Sequence, residues 1–239
     1  MSPAAGGDGL ERVTAEAQLS QPPRGPETTT RFDARHAWTT ATYKGLVVRK
    51  ITTRADRSFT LELRYRQDVV LIAIDKDGVP SVGRLDQSVL VDSPEALEQV
   101  QQVLGGSQAI FAFRALLAER ESVSDLKGPE FTLLAAAAFT ASLVGDTDAP
   151  RRLTARFVQL HRGIVRSVRA GGEKCWEQYT NETVGAWDEL QDCMDEANQD
   201  SNVFRAAYRR LACNAVWALR SDAAFFELIQ CLNPLAIIQ

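Results

Sequence analysis

Between residues 59 and 66 the chain alternates without interruption. Phe59, Leu61, Leu63 and Tyr65 fall on one side, and Thr60, Glu62, Arg64 and Arg66 on the other. A period of two marks a strand with one apolar face. Leu46-Val47-Val48, leading to Ile51, predicts the preceding strand, and residues 55–58 (ADRS) supply the turn between the two. The continuous apolar run Val69–Ile74 predicts a central strand buried on both faces, closed by the Asp77-Gly78 turn signal. Short strands are expected over 79–85 and 88–91. The sum is an antiparallel meander of about five strands.

The period then changes to that of a helix. Ser93 is an N-cap with Pro94 at the first helical position; Leu97, Val100 and Leu104 form the stripe, and Gly105-Gly106 ends it. A second helix starts at Ser107, with Ile110, Phe113 and Leu117 on one side. After Gly128-Pro129 comes EFTLLAAAAFTASLV, apolar nearly all round and too short to span a bilayer, which predicts a central buried helix. A fourth helix begins after Asp148-Ala149-Pro150 and reaches Gly171-Gly172, with Leu153, Phe157, Leu160 and Ile164 on one face. Arg152, Arg156, Arg162, Arg166 and Arg169 lie largely on the other.

All four cysteines lie in the last quarter, at Cys175, Cys193, Cys213 and Cys231. Their spacings of 18, 20 and 18 are symmetric about position 203, next to the polar stretch ANQDSN (197–202). Five helical turns span about 18 residues, so each outer spacing keeps two cysteines on one helix face. An antiparallel helical hairpin turning at that stretch sets Cys175 opposite Cys231 and Cys193 opposite Cys213. Four cysteines allow about three connectivities, and the symmetry favours this nested one. The competing reading is four free cysteines serving as small buried apolar groups. A helix start at Arg220-Ser221-Asp222 is the feature that would spoil the register.

The sequence therefore predicts an α+β fold: a disordered leader or linker at 1–37, an α+β body at 38–172, and a four-cysteine helical hairpin at 173–239 packed on the body. The composition is ordinary for a globular chain, with 45% hydrophobic and 24% charged residues. A net charge of −4 argues against broad nonspecific nucleic-acid binding. Segment 151–170 holds six arginines and no acid, whereas 173–200 holds nine acids and one lysine. That contrast fits a basic helix paired with an acidic one, or a phosphate-contacting face. No transmembrane helix is expected. Disulfides imply secretion or another oxidising compartment. The polar, Gly/Pro-rich N-terminus does not read as a signal peptide, which leaves a cytoplasmic location open.

Chemistry-bearing motifs are few. The two histidines, His36 and His161, form no pair, and the cysteines are too widely spaced for a zinc motif. No phosphate-binding glycine loop or nucleophile elbow occurs, so no cofactor and no metal are expected. Asn181-Glu182-Thr183 is formally a glycosylation sequon.

Four segments carry a further pattern: residues 46–78 (LVVRKITTRADRSFTLELRYRQDVVLIAIDKDG), EALEQV at 95–100, Thr154-Ala155-Arg156-Phe157 and Val184-Gly185-Ala186-Trp187. Together with the order of elements they resemble the ribosome-inactivating proteins, toxins that remove one adenine from large ribosomal RNA, over about residues 40–190. The resemblance implies an rRNA N-glycosidase acting on ribosomes. Arg156 would polarise or protonate the leaving adenine, and Trp187 and Arg152 would hold substrate, with Tyr179 and Glu182 as further candidates beside Trp187. The family also needs a glutamate one turn from the arginine and two tyrosines to sandwich the extruded base. Leu153 stands at the glutamate position, and Val82 and Pro94 at the tyrosine positions. Moving the motif into the preceding helix puts Thr140 there instead. The implied activity is thus weak or lost. The alternative is a non-catalytic, secreted, disulfide-bonded module whose hairpin surface binds another protein.

Overall fold

The computed structural model describes residues 26–33, 35–53, 55–84, 87–120, 128–146, 148–153, 155–156, 159 and 173–232. Seven strands form one antiparallel sheet in simple sequence order. They are β1 (Glu27–Phe32), β2 (His36–Tyr43), β3 (Leu46–Thr53), β4 (Ser58–Tyr65), β5 (Asp68–Ile74), β6 (Pro80–Arg84) and β7 (Gln87–Leu90). Five long helices follow: α1 (Pro94–Gly105), α2 (Gln108–Arg120), α3 (Gly128–Leu143), α4 (Glu173–Asn198) and α5 (Val203–Leu232). Helical backbone also occurs at 148–153. The fold is α+β, as the patterning predicts.

The alternation in β4 sets the sheet's polarity. Phe59, Leu61 and Leu63 are buried, and their register partners Thr52, Lys50 and Val48 on β3 and Ile74, Ile72 and Val70 on β5 face the same way. The helices cover this inner face. Helix α3 sits at the centre and contacts α1, α2, α5, β1 and β2. Its run Ala135–Ala138 is fully buried, and the small side chains let neighbouring elements approach closely. Phe139 meets Phe59 edge-to-face at 6.4 Å, joining helix to sheet.

Several expectations need correction. Residues 27–32 and 36–37 lie in the sheet, not in a leader: Glu27–Phe32 pairs along β2, and His36 begins that strand. Thr28-Thr29-Thr30 looks polar, yet β-branched threonine suits an edge strand with one half-buried face. Among the described residues the meander has seven strands rather than about five. Strand β5 is buried on one face only, because Leu71 points to the uncovered side at 47% exposure while Val70 and Ile72 are sealed. Residues 1–25, His161, Arg162, Arg166, Arg169 and Gly171-Gly172 lie outside the described residues.

The C-terminal helices form the nested hairpin. Cys175 bonds Cys231 and Cys193 bonds Cys213, with Cα separations of 5.7 and 5.9 Å, inside the range that disulfides require. The turn at 199–202 ends on Asn202, whose side-chain oxygen accepts from the Arg205 amide at 3.0 Å and caps α5. Helix α5 runs unbroken through Arg220-Ser221-Asp222. Asp222 caps nothing there. It is buried, pairs with Lys50, and accepts from the Thr52 hydroxyl at 3.0 Å. Asn214 adds a tie from α5 to α3 by donating to Ser142 Oγ at 3.0 Å. Gly78, at φ +80°, brings the β5–β6 turn against α5: a side chain there would meet Val216 at 3.4 Å. Two bridges are compatible with an oxidising compartment. No helix among the described residues is long and apolar enough to cross a membrane.

Candidate binding groove at the turn end of the sheet

Two turns at one end of the sheet repeat a motif. The β2–β3 turn reads Tyr43-Lys44-Gly45, and the β4–β5 turn begins Tyr65-Arg66. Lys44 and Gly45 take φ of 46° and 84°, so both turn residues lie in the left-handed region, as tight hairpins demand. Arg66 takes φ 57°. Glycine adopts this region freely, whereas a side-chain-bearing residue is strained there by about 1–2 kcal/mol. Register places Leu46 between Tyr43 and Tyr65, so both rings flank it on the inner face. The Tyr65 ring lies against the bare backbone of Gly45, 3.8 Å from where a Cβ would stand.

Helix α2 crosses over these turns and closes a groove of about 520 Å³. Buried Leu46 and Leu116 form its floor, Tyr43 and Tyr65 stand to the sides, and Phe111 is the most exposed apolar ring on its rim at 76%. Asp68 fixes the helix to the sheet. Its carboxylate accepts from Ser107 Oγ at 2.6 Å and from the Ala109 amide at 2.9 Å, so it occupies the α2 N-terminus. It also accepts from Arg84 Nε at 2.9 Å, and Arg84 donates onward to the carbonyls of Val103 and Gly106 at the end of α1. Burial opposes the charge on Asp68, but these donors outweigh it and hold the carboxyl below the ordinary 3.8.

The rim carries two cations and one carboxylate. Lys44 Nζ donates to both Glu119 oxygens at 2.8 and 3.0 Å, and the Tyr43 hydroxyl donates to the same carboxylate. Hydrogen bonds from Lys44 and then Tyr43 lower the Glu119 pKa, and the Glu119 bond raises that of Lys44. Lys44 lies 4.8 Å from the centre of the Tyr43 ring, and Arg66 lies 5.3 Å from that of Tyr65. Arg66 is exposed and makes no ion pair among the described residues.

The residues singled out from the sequence sit elsewhere. Arg152 is exposed and lines a second groove of about 370 Å³ with Arg114, Asp146 and Leu153. Arg156 is half-buried, and its Nη1 donates to Gln159 Oε1 at 2.8 Å. Trp187 is half-buried on α4, packed against the core, and lines neither groove. Leu153 and Val82 are buried core residues, and Pro94 opens α1. Thr140 donates to the Ala136 carbonyl at 2.7 Å within α3. Tyr179 is buried between the Trp176 and Phe225 rings, at 5.9 and 6.4 Å, and burial pushes its phenol pKa well up. Glu182 accepts from Gln178 at 3.0 Å along its own helix. Arg152 and Arg156 both lie on helical backbone, and Tyr179, Glu182 and Trp187 share α4. No group of metal-ligating side chains gathers among the described residues.

The groove was not singled out from the sequence. Its signal was the repeated tyrosine–cation pair at two strand ends, Tyr43-Lys44 and Tyr65-Arg66, which becomes meaningful only when register sets the two side by side. No family model, curated protein or solved structure matches this chain.

Proposed function

We propose that this chain is a non-catalytic, disulfide-bonded binding module of an oxidising compartment, and that the turn-end groove is its binding site. The observation that carries this reading is the groove itself: an apolar floor, two tyrosine rings and a cationic rim in a volume of about 520 Å³. That volume falls within the roughly 300–1,000 Å³ of small-molecule sites, where a few polar groups direct an apolar cavity.

The test is to titrate a panel of small aromatic fragments into isotope-labelled protein and follow backbone amide shifts. Shifts gathered on Tyr43–Leu46, Tyr65–Asp68 and Ser107–Glu119 are expected. An Ala115→Trp variant, which fills the groove, should remove them. Scattered shifts, or shifts that survive the filled groove, would defeat the reading.

A second reading is favoured by the order of elements, a sheet followed by helices with a half-buried arginine after α3. It is a ribosome-inactivating-protein-like chain acting on ribosomal RNA through Arg156, Arg152 and Trp187. Its chemistry needs a carboxylate one turn before Arg156, where Leu153 is buried in the core. Adenine release from intact ribosomes decides between the two.

A further inference from the structure

Of the charged side chains lining the groove, one makes no ion pair among the described residues. Both oxygens of Glu119 accept from Lys44, and one also accepts from Tyr43, so this carboxylate and this ammonium neutralise each other. Arg84, on the inner side, is committed to Asp68 and to two carbonyls. Arg66 remains. A guanidinium carries about five N–H donors in a planar fork that matches a carboxylate with two parallel bonds. Here the fork lies over the Tyr65 ring, at the mouth of a cavity floored by Leu46 and Leu116.

An arginine at positive φ is not peculiar to this turn, since Arg57 takes φ 54° at the opposite end of the sheet. What distinguishes Arg66 is its contrast with the adjacent tyrosine–cation turn. The neighbouring hairpin repeats the arrangement with Tyr43 and Lys44, but supplies that cation with its own counter-charge, Glu119. Of two equivalent tyrosine–cation turns, one is internally neutralised and one is left open to an anion.

Building on the binding reading above, we propose that the groove takes a small amphipathic anion, a flat apolar body with one carboxylate. The ring system lies between Tyr43, Tyr65 and Phe111, and the carboxylate meets the Arg66 fork. The rim's net charge with Lys44, Arg66 and Glu119 is a single positive, which complements one anionic group.

Isothermal titration calorimetry on the full, disulfide-bonded chain tests this with 2-naphthoate and its neutral counterpart 2-naphthylmethanol. The naphthoate is expected to bind about tenfold or more tightly than the alcohol, because a charge-assisted bidentate contact is lost in the latter. Arg66→Gln should remove that preference, bringing the naphthoate's affinity down to that of the alcohol. Arg64→Gln, on the opposite sheet face, should change neither ligand, and Ala115→Trp should abolish both. Equal binding of acid and alcohol, untouched by Arg66→Gln, overturns the anion assignment and leaves the groove as a binding site. Loss of naphthoate binding in Arg64→Gln as large as in Arg66→Gln reduces the effect to general charge attraction and also overturns it. Binding of neither ligand overturns both the anion assignment and the binding reading beneath it.

Discussion

Asp222→Asn is the substitution that most directly tests how the hairpin is held to the sheet. Lys50 and Asp222 are 2% and 6% exposed at their side chains, so water can solvate neither. The Lys50 ammonium also lies 5.0 Å from the centre of the Phe59 ring, and Thr52 satisfies the second Asp222 oxygen. Asparagine keeps the shape and removes the charge, leaving a buried ammonium without its counter-ion. Removing one partner of such a pair costs about 3–5 kcal/mol. Typical domains are stable by about 5–15 kcal/mol, so the variant should lose a large share of its stability. Replacing both partners, Lys50→Met with Asp222→Leu, should recover most of the loss, because apolar isosteres remove the desolvation cost along with the attraction.

The deficit should also depend on pH. Burial outweighs the pull of Asp222 and already holds Lys50 below the ordinary 10.5. Without the carboxylate the folded-state value falls further, while the unfolded value stays put. Between the two values the unfolded chain binds more protons, so the stability of Asp222→Asn rises with pH and the deficit shrinks toward alkaline conditions. Urea titration followed by circular dichroism, without reductant and at several pH values, measures all of this. A single-variant loss below about 1 kcal/mol would refute the claim that this pair is buried and coupled.

Other expectations follow from the same contacts. Removing the inner bridge with Cys193→Ser and Cys213→Ser should cost about 3 kcal/mol, and removing the outer one about 4 kcal/mol, since the outer loop is longer. Urea midpoints give both values, and an equal or reversed order counts against the loop-closure account. Asp68→Asn should destabilise by about 2 kcal/mol at neutral pH by weakening charge-assisted bonds. The Asp68 carboxyl is depressed in the fold, so its contribution is present above the ordinary 3.8 and is lost as pH falls through the lower folded value. The gap between wild type and Asp68→Asn should therefore close in acid. Intact ribosomes incubated with the protein should release no adenine above a buffer blank, with an active toxin as positive control. Release that vanishes in Arg156→Ala would instead establish the depurinating reading.

Legibility in the sequence followed the strength of each local signal. The alternation in 59–66 and the cap at Ser93-Pro94 are properties of a few adjacent residues, and both elements are found where expected. The disulfide pairing was legible for a different reason: the cysteines are 18 residues apart on each of two helices that turn about one point, so symmetry in number became opposition in space. Features that depend on distant partners were not legible. Charged Lys50 is buried while apolar Ile51 beside it is 37% exposed, because Asp222 on α5 pairs with Lys50 on the inner face. The same partnership explains why Arg220-Ser221-Asp222 does not start a new helix. Strand β1 escaped because threonines and charges resemble a leader until β2 provides hydrogen bonds. The groove escaped because its walls come from two hairpins and a helix, none of which announces a cavity alone.

The nested bridges also decide how the chain would carry tension. A pull on its two ends passes from Cys175 straight to Cys231, so residues 176–230 lie off the line of force. The 56-residue separation withholds about 190 Å of extension for as long as the outer bond survives. The sheet can be drawn out strand by strand while the helical hairpin stays folded as a slack loop. Reduction of the outer bond releases only part of that length, because Cys193–Cys213 still closes the inner 20 residues. The stretched length of the molecule thus has three discrete values: one whenever the outer bridge is intact, a second with only the inner bridge intact, and a third with neither.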